Sequence, residues 1–186
     1  MAVTAPGPAV LLGVGGGIAA YKLAYVASRL VQRGASVRVA MTPRALEYVG
    51  ALTFEGLTAR KVILSSTQVD PDGAVPHIEA ARTAAVYAIA PATADLLARL
   101  ALGAADDAVS LLALTCRCPL LVCPAMNDAM WLSAAVQQNV AALQARGVRF
   151  LGPVSGHLAE GYDAIGRLVE PEAIVERALQ LAAGQP

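Results

Sequence analysis

The chain has 186 residues with 14 Lys plus Arg against 14 Asp plus Glu, and 56% of it is hydrophobic while only 4% is aromatic. That length bounds a single domain, residues 1–186, with one core built from Ala, Val and Leu, and a formal net charge of zero leaves no footprint for a phosphate backbone, so nucleic acid is not an expected partner. The apolar stretches are broken by Gly, Pro or charge short of the roughly 20 residues of a membrane span, and "MAVTAPGPAVLL" lacks the basic start of a signal peptide, so no membrane partner and a cytoplasmic location are expected.

Residues 1–8 read as a flexible N-terminus. "AVLLGVGG" then reads as a buried strand stopped by glycine, and "IAAYKLAYVASRLVQRG" as a helix with Gly34 as its stop. "ASVRVAMT" is the next strand, and Pro43 opens a helix through "RALEYVG". "AVYAIAPAT" and "CPLLVCPAM" are two more buried strands, whose prolines end them. Helices follow at "ADLLARLAL" and "AAVQQNVAALQARG", "VRFLGP" is a last strand, and "PEAIVERALQLAA" closes the chain as a helix. Strands alternating with helices predict an α/β fold with a parallel sheet covered on both faces and ligands at the carboxyl ends of the strands. "SSTQVDPDGAVP", "LGAADDAVS" and "SGHLAEGYDAIGR" resist assignment, and in such a fold functional loops are sought first among segments like these.

"GVGGGIAAYK" places glycines between a strand and a helix, where bare backbone amides can hold a phosphate or simply make a tight turn. No acidic residue closes the second strand, where "VAMT" stands instead, which disfavours NAD. His77, in "VPHIEAAR", opens a helix after a polar loop, and its near-neutral pKa suits a general base as well as an ordinary helix-terminal hydrogen bond. "APATADLL" and "CPAMNDAMW" end two central strands at one edge of the sheet, bringing Thr93, Asp95, Asn127 and Asp128 there. Cys116, Cys118 and Cys123 are too few and too irregularly spaced for a zinc site or a disulfide framework and read as small core residues, so no metal is expected.

Together "GGIAAYK", "VRVAMTPRALEYV", "LTFEGLT", "HIEAAR", "APATAD", "LALGAADD", "PAMNDAMW" and "GRLVEP" resemble the flavin-containing cysteine decarboxylases, over about Val10 to Pro171. The resemblance implies a three-layer, Rossmann-like, flavodoxin/flavoprotein-like sheet. It also implies an FMN cofactor held between subunits of a homotrimer, often assembled further into a dodecamer. By that match His77 is the active-site histidine and Asn127 binds the carboxylate of the cysteine, with Met130 in the same substrate motif. Gly16, Gly17, Ile18 and Thr42 are expected beside the flavin phosphate and ribityl chain, and Pro91, Ala92, Thr93 and Asp95 beside the flavin from the second strand end. Residues 152–168 are the expected substrate-covering loop.

Four positions depart from the pattern of the biosynthetic decarboxylase, which acts on phosphopantothenoylcysteine in coenzyme A biosynthesis. Its loop cysteine is replaced by Glu160 in "GHLAEG", Asp95 stands where the family has Asn, and Ala164 and Ile165 replace loop glycines. Loss of the loop cysteine is what the peptidyl-cysteine branch permits, since that branch releases an enethiol without saturating it. The resemblance therefore favours oxidative decarboxylation of the C-terminal cysteine of a precursor peptide, with Glu160 near the substrate. Phosphopantothenoylcysteine decarboxylation and a flavin-binding subunit without turnover are the alternatives, and the presence of both His77 and Asn127 argues against the second of these.

Overall fold

The computed structural model describes residues 7–69 and 73–185. Most of the expected flexible N-terminus, and three residues of the "SSTQVDPDGAVP" segment, lie outside them. The strands β1 (Ala9–Val14), β2 (Ser36–Met41), β3 (Val86–Ala92), β4 (Leu120–Pro124) and β5 (Arg149–Phe150) form one parallel sheet in the order β2-β1-β3-β4-β5. Around and between them run α1 (Lys22–Gln32), α2 (Ala51–Thr58), α3 (Pro76–Thr83), α4 (Ala94–Leu102), α5 (Ala108–Thr115), α6 (Asp128–Leu132), α7 (Ala134–Ala145) and α8 (Pro171–Ala182). A separate antiparallel hairpin pairs β6 (Val154–His157) with β7 (Asp163–Arg167). Among the described residues no helix is long and apolar enough to cross a membrane.

Because side chains alternate along a strand, the central strands feed two cores at once. Val10, Leu12 and Val14 of β1, with Val86, Ala88 and Ala90 of β3, face α1, α2 and α8. Leu11, Tyr87 and Ile89 face α3, α4, α5 and α7. Every residue of β3 is buried, as a parallel strand covered on both faces requires. Tyr87 is the largest of the fully buried side chains; its hydroxyl donates to the Val109 carbonyl of α5 at 3.0 Å. Gly13 makes room for it, since a Cβ there would stand 2.6 Å from the Tyr87 oxygen.

The expected α/β architecture is present, with local differences. The helix anticipated from Ile18 starts as a 3-10 turn over Ile18–Tyr21 before α1. The one anticipated through "RALEYVG" is a 3-10 turn over Pro43–Glu47, and the regular helix α2 forms only after Gly50. Strand β3 does not stop at Pro91 but continues to Ala92. Proline has no N–H to give the ladder, and the pairing with β4 shifts register between Ile89 and Ala92. Beyond β2, Ile63 forms a single parallel bridge with Ala40, donating its N–H to the Val39 carbonyl at 2.9 Å.

With β2 on one side of β1 and β3 on the other, the loops that leave β1 and β3 diverge. This order opens a crevice at the carboxyl ends of the strands, which is where open parallel sheets receive ligands.

Candidate functional site

Two cavities share that edge. The larger, about 430 Å³, is bounded by Gly17 and Ile18 after β1, Pro91 and Thr93 at the end of β3, Asn127 and Met130 after β4, and Leu158 and Glu160 of the hairpin. The second, about 360 Å³, is bounded by Gly16, Thr42 and Arg44 on one side and by Thr93, Asp95 and Arg99 on the other. Both fall in the range of roughly 300–1,000 Å³ occupied by small-molecule sites. Thr93 lines both, so the two form neighbouring compartments of one crevice.

The glycines set the shape of the partition. A Cβ at Gly15 would lie 2.0 Å from the Pro91 carbonyl oxygen, and one at Gly16 would lie 2.5 Å from the Arg44 Cβ. One at Gly17 would lie 3.2 Å from the Thr93 Cγ2. Bare backbone is therefore needed for the β1 turn to lie against the end of β3. No side chain caps the 3-10 turn that starts at Gly17. Thr42 and Thr93 hold the facing turns as their N-caps: Thr42 Oγ1 accepts from the Ala45 N–H at 3.2 Å and Thr93 Oγ1 from the Leu96 N–H at 3.3 Å.

Asn127 has a double role of the same kind. Its Oδ1 accepts from the Ala129 N–H at 2.9 Å and so caps α6. Its Nδ2 reaches the hairpin tip, donating to Glu160 Oε1 at 3.1 Å and to the Tyr162 hydroxyl oxygen at 2.9 Å. The Tyr162 hydroxyl donates in turn to Asp128 Oδ1 at 2.6 Å, and that bond to a carboxylate pushes the phenol above its ordinary pKa. The hairpin is seated by Gly166, whose carbonyl accepts from the Met126 N–H at 3.0 Å. Its φ is +136°, and a Cβ there would stand 2.2 Å from the Met126 oxygen. Gly166→Ala is thus expected to cost about 2–3 kcal/mol and to lower the midpoint of thermal unfolding by roughly 4–10 °C in calorimetry. An unchanged midpoint would show that the hairpin does not depend on this close approach.

Asp95, the acidic departure from the family pattern, is not an isolated charge. Arg99 Nε donates to Asp95 Oδ2 at 3.0 Å and Arg99 Nη1 donates to Asp106 Oδ1 at 2.5 Å. The guanidinium holds the Asp106 carboxyl below its usual pKa. One guanidinium here faces Asp95, Asp106 and, at 3.8 Å, Asp107, so the cluster stays net acidic, and ion pairs this exposed add little stability.

Of the residues singled out in the sequence, Gly17, Ile18, Pro91, Thr93, Asn127, Met130 and Glu160 line the larger cavity, and Gly16, Thr42, Thr93 and Asp95 the second. Ala92 is fully buried in the core and lines neither. His77, the second residue of α3, also lines neither, and its Nδ1 is buried with no hydrogen-bond partner among the described residues. The sequence reading missed Tyr162 and His157. His157 lines the larger cavity with its Nδ1 3.3 Å from Asp163 Oδ1. Both belong to the segment that resisted assignment, and that resistance was the only signal. Cys116 and Cys118 line a different cavity beside the start of β4. Cys123 is fully buried, which pushes its thiol up to about 12.

The family model described as Flavoprotein matches residues 3–183. The coenzyme A biosynthesis bifunctional protein CoaBC of Vibrio parahaemolyticus is 42% identical over 174 residues, which are 92% of this chain and 43% of that protein. The chain thus spans less than half the length of the curated relatives it matches. Among solved structures, the FMN-dependent cysteine decarboxylase SpaF superposes with a TM-score of 0.81 at 30% identity, covering 96% of this chain and 98% of that one. A PPC decarboxylase complexed with pantothenoylaminoethenethiol superposes with a TM-score of 0.82 at 28% identity, covering 92% and 96%.

Proposed function

The chain belongs to the flavoprotein family, and on that premise we propose that it binds FMN in the crevice and decarboxylates a substrate that ends in cysteine. The residues present fit the cofactor. A side chain at Gly17 would press on Thr93, between the two cavities, and Gly16, Thr42 and Thr93 offer backbone and hydroxyl groups along the second. Asp95 is paired with Arg99, although that one guanidinium also serves Asp106 and this wall stays net acidic. When bound, FMN supplies a two-electron oxidation of the cysteine side chain, which makes the carbon bearing sulfur an acceptor for the electrons that loss of carbon dioxide leaves behind.

The protein's own groups provide placement. Asn127, whose Nδ2 meets Glu160 and Tyr162 at the wall of the larger cavity, fixes the carboxylate that departs. Pro91, Met126, Met130 and Leu158 offer apolar surface to one side of that position, while Lys22 and Arg167 bring cationic side chains to the same cavity. His77 takes the thiol proton. Because it lines neither cavity of its own chain, it acts from a second copy, in a homotrimer built over the exposed Ile18 and Tyr21 at the cavity.

One observation carries the choice of substrate: among the described residues no thiol lines the larger cavity, and at the loop position where the biosynthetic pattern has cysteine stands Glu160, bonded to Asn127. A site without that thiol lacks the group that would protonate the product as reduced flavin returned its hydride, so it releases an enethiol, and the two electrons left on the flavin would pass to an external oxidant, dioxygen. The substrate is therefore the C-terminal cysteine of a peptide. The second reading is phosphopantothenoylcysteine, favoured by the 42% identity to CoaBC. Mass spectrometry after incubation of the FMN-loaded protein decides between them. A cysteine-terminated peptide is expected to lose roughly 46 Da, carbon dioxide plus two hydrogens. Loss of roughly 44 Da from phosphopantothenoylcysteine alone would establish the second reading, and no change in either substrate would remove both.

A further inference from the structure

On the reading that Asn127 receives the substrate carboxylate, we propose that Glu160 is a built-in competitor for the same place: its carboxylate occupies the Asn127 amide until a substrate carboxylate displaces it.

An asparagine side chain has two N–H donors and one carbonyl oxygen. In Asn127 the oxygen is committed to the Ala129 N–H, one donor position to the Tyr162 hydroxyl and the other to Glu160. No donor is free, so an incoming carboxylate binds Asn127 only by removing a partner. Tyr162 is the harder of the two to remove, because its hydroxyl is also tied to Asp128 at 2.6 Å. Glu160 is exposed at the tip of the hairpin and makes no other hydrogen bond among the described residues.

The backbone of the tip is held independently of Glu160, with the Leu158 N–H donating to the Tyr162 carbonyl at 2.9 Å and the Gly161 N–H to the Leu158 carbonyl at 3.0 Å. Displacement therefore needs only rotation of one side chain, not opening of the hairpin. Charge acts in the same direction. If Glu160 stayed in place, the substrate carboxylate would meet a second carboxylate on the same amide, with Asp128 close behind. The consequence is selectivity: a ligand must bring an acceptor strong enough to replace a carboxylate, which a terminal carboxylate does and a neutral terminus does poorly.

An exposed pair of this kind favours its closed arrangement by only a few-fold, and occupancy of the closed arrangement weakens the apparent affinity of the substrate by that factor. The test uses the FMN-loaded protein and an unreactive probe, a peptide ending in serine in place of cysteine, titrated by calorimetry. Glu160→Ala is expected to tighten the probe by roughly three- to tenfold. In an Asn127→Ser background, which keeps a capping oxygen for α6 but removes the amide donor, the same substitution is expected to change affinity less than about twofold, because its effect runs through the Asn127 amide.

Equal tightening in both backgrounds would reduce Glu160 to a general source of repulsion and overturn the proposal. Weaker binding by Glu160→Ala would overturn it by making the carboxylate a substrate contact, and an unchanged affinity would overturn it as well. Binding of neither the serine peptide nor phosphopantothenoylcysteine to the unsubstituted protein would bring down the cysteine-decarboxylase reading itself.

Discussion

Asn127→Asp is expected to lower kcat/KM for a cysteine-terminated substrate by on the order of 100- to 1,000-fold while the protein stays folded and yellow. Aspartate caps a helix as well as asparagine does, so its oxygen still accepts from the Ala129 N–H and α6 keeps its start. What disappears is the Nδ2 donor. A carboxylate takes its place, facing Glu160 and Tyr162 and repelling the substrate's own carboxylate. The substitution thus separates the two roles of one side chain, which Asn127→Ala would not do. Steady-state kinetics beside the visible absorbance of bound flavin and a thermal melt make the check. A kcat/KM within about threefold of the unsubstituted protein, at unchanged flavin content, would take Asn127 out of the reaction.

His77→Asn is expected to reduce kcat by roughly 100- to 10,000-fold, the usual contribution of a positioned acid or base. Its buried Nδ1 has no partner among the described residues, and burying a polar group in that condition costs about 1–3 kcal/mol. A residue retained only for packing would be better replaced by an apolar one. A residue waiting for a ligand or a second copy would not. The decisive readout is a mixture. If the site is shared between copies, oligomers assembled from His77→Asn and Asn127→Asp chains recover activity that neither has alone, because some sites then draw both intact residues from different chains. Failure of every mixture to recover activity would place the two residues in the same site of a single chain and refute the shared arrangement.

The parts of the fold that were legible in the sequence are those where one physical signal repeats. The short, unbroken apolar runs of "AVLLGV" and "CPLLVC" and the helical spacing in α4, α7 and α8 mark elements that bury two faces or one. Helix α5 was obscured because "AVSLLALT" is apolar nearly all round, and only its cap, Asp107 with Ser110, announces it. The hairpin was obscured for the opposite reason: its strands are short, partly exposed and interrupted by Gly156 and Gly166, so neither period appears.

Within the site, Asn127, Thr93 and the glycines could be located because each sits just past a recognisable strand. The bond between Asn127 and Glu160 spans 33 residues and depends on how the hairpin seats on Met126, which no local pattern encodes. For the same reason the pairing of Asp95 with Arg99 could be anticipated from i,i+4 spacing, whereas the reach of Arg99 onward to Asp106 could not.

The two margins of the sheet are unlike its centre. At one side β5 contributes only Arg149 and Phe150; at the other, the bridge at Ile63 already takes up backbone groups of β2. A foreign strand arriving at either side finds too short a row of open amides and carbonyls to zip onto. Growth by adding strands is thus blunted in both directions, and the folded sheet offers little template for edge-to-edge stacking.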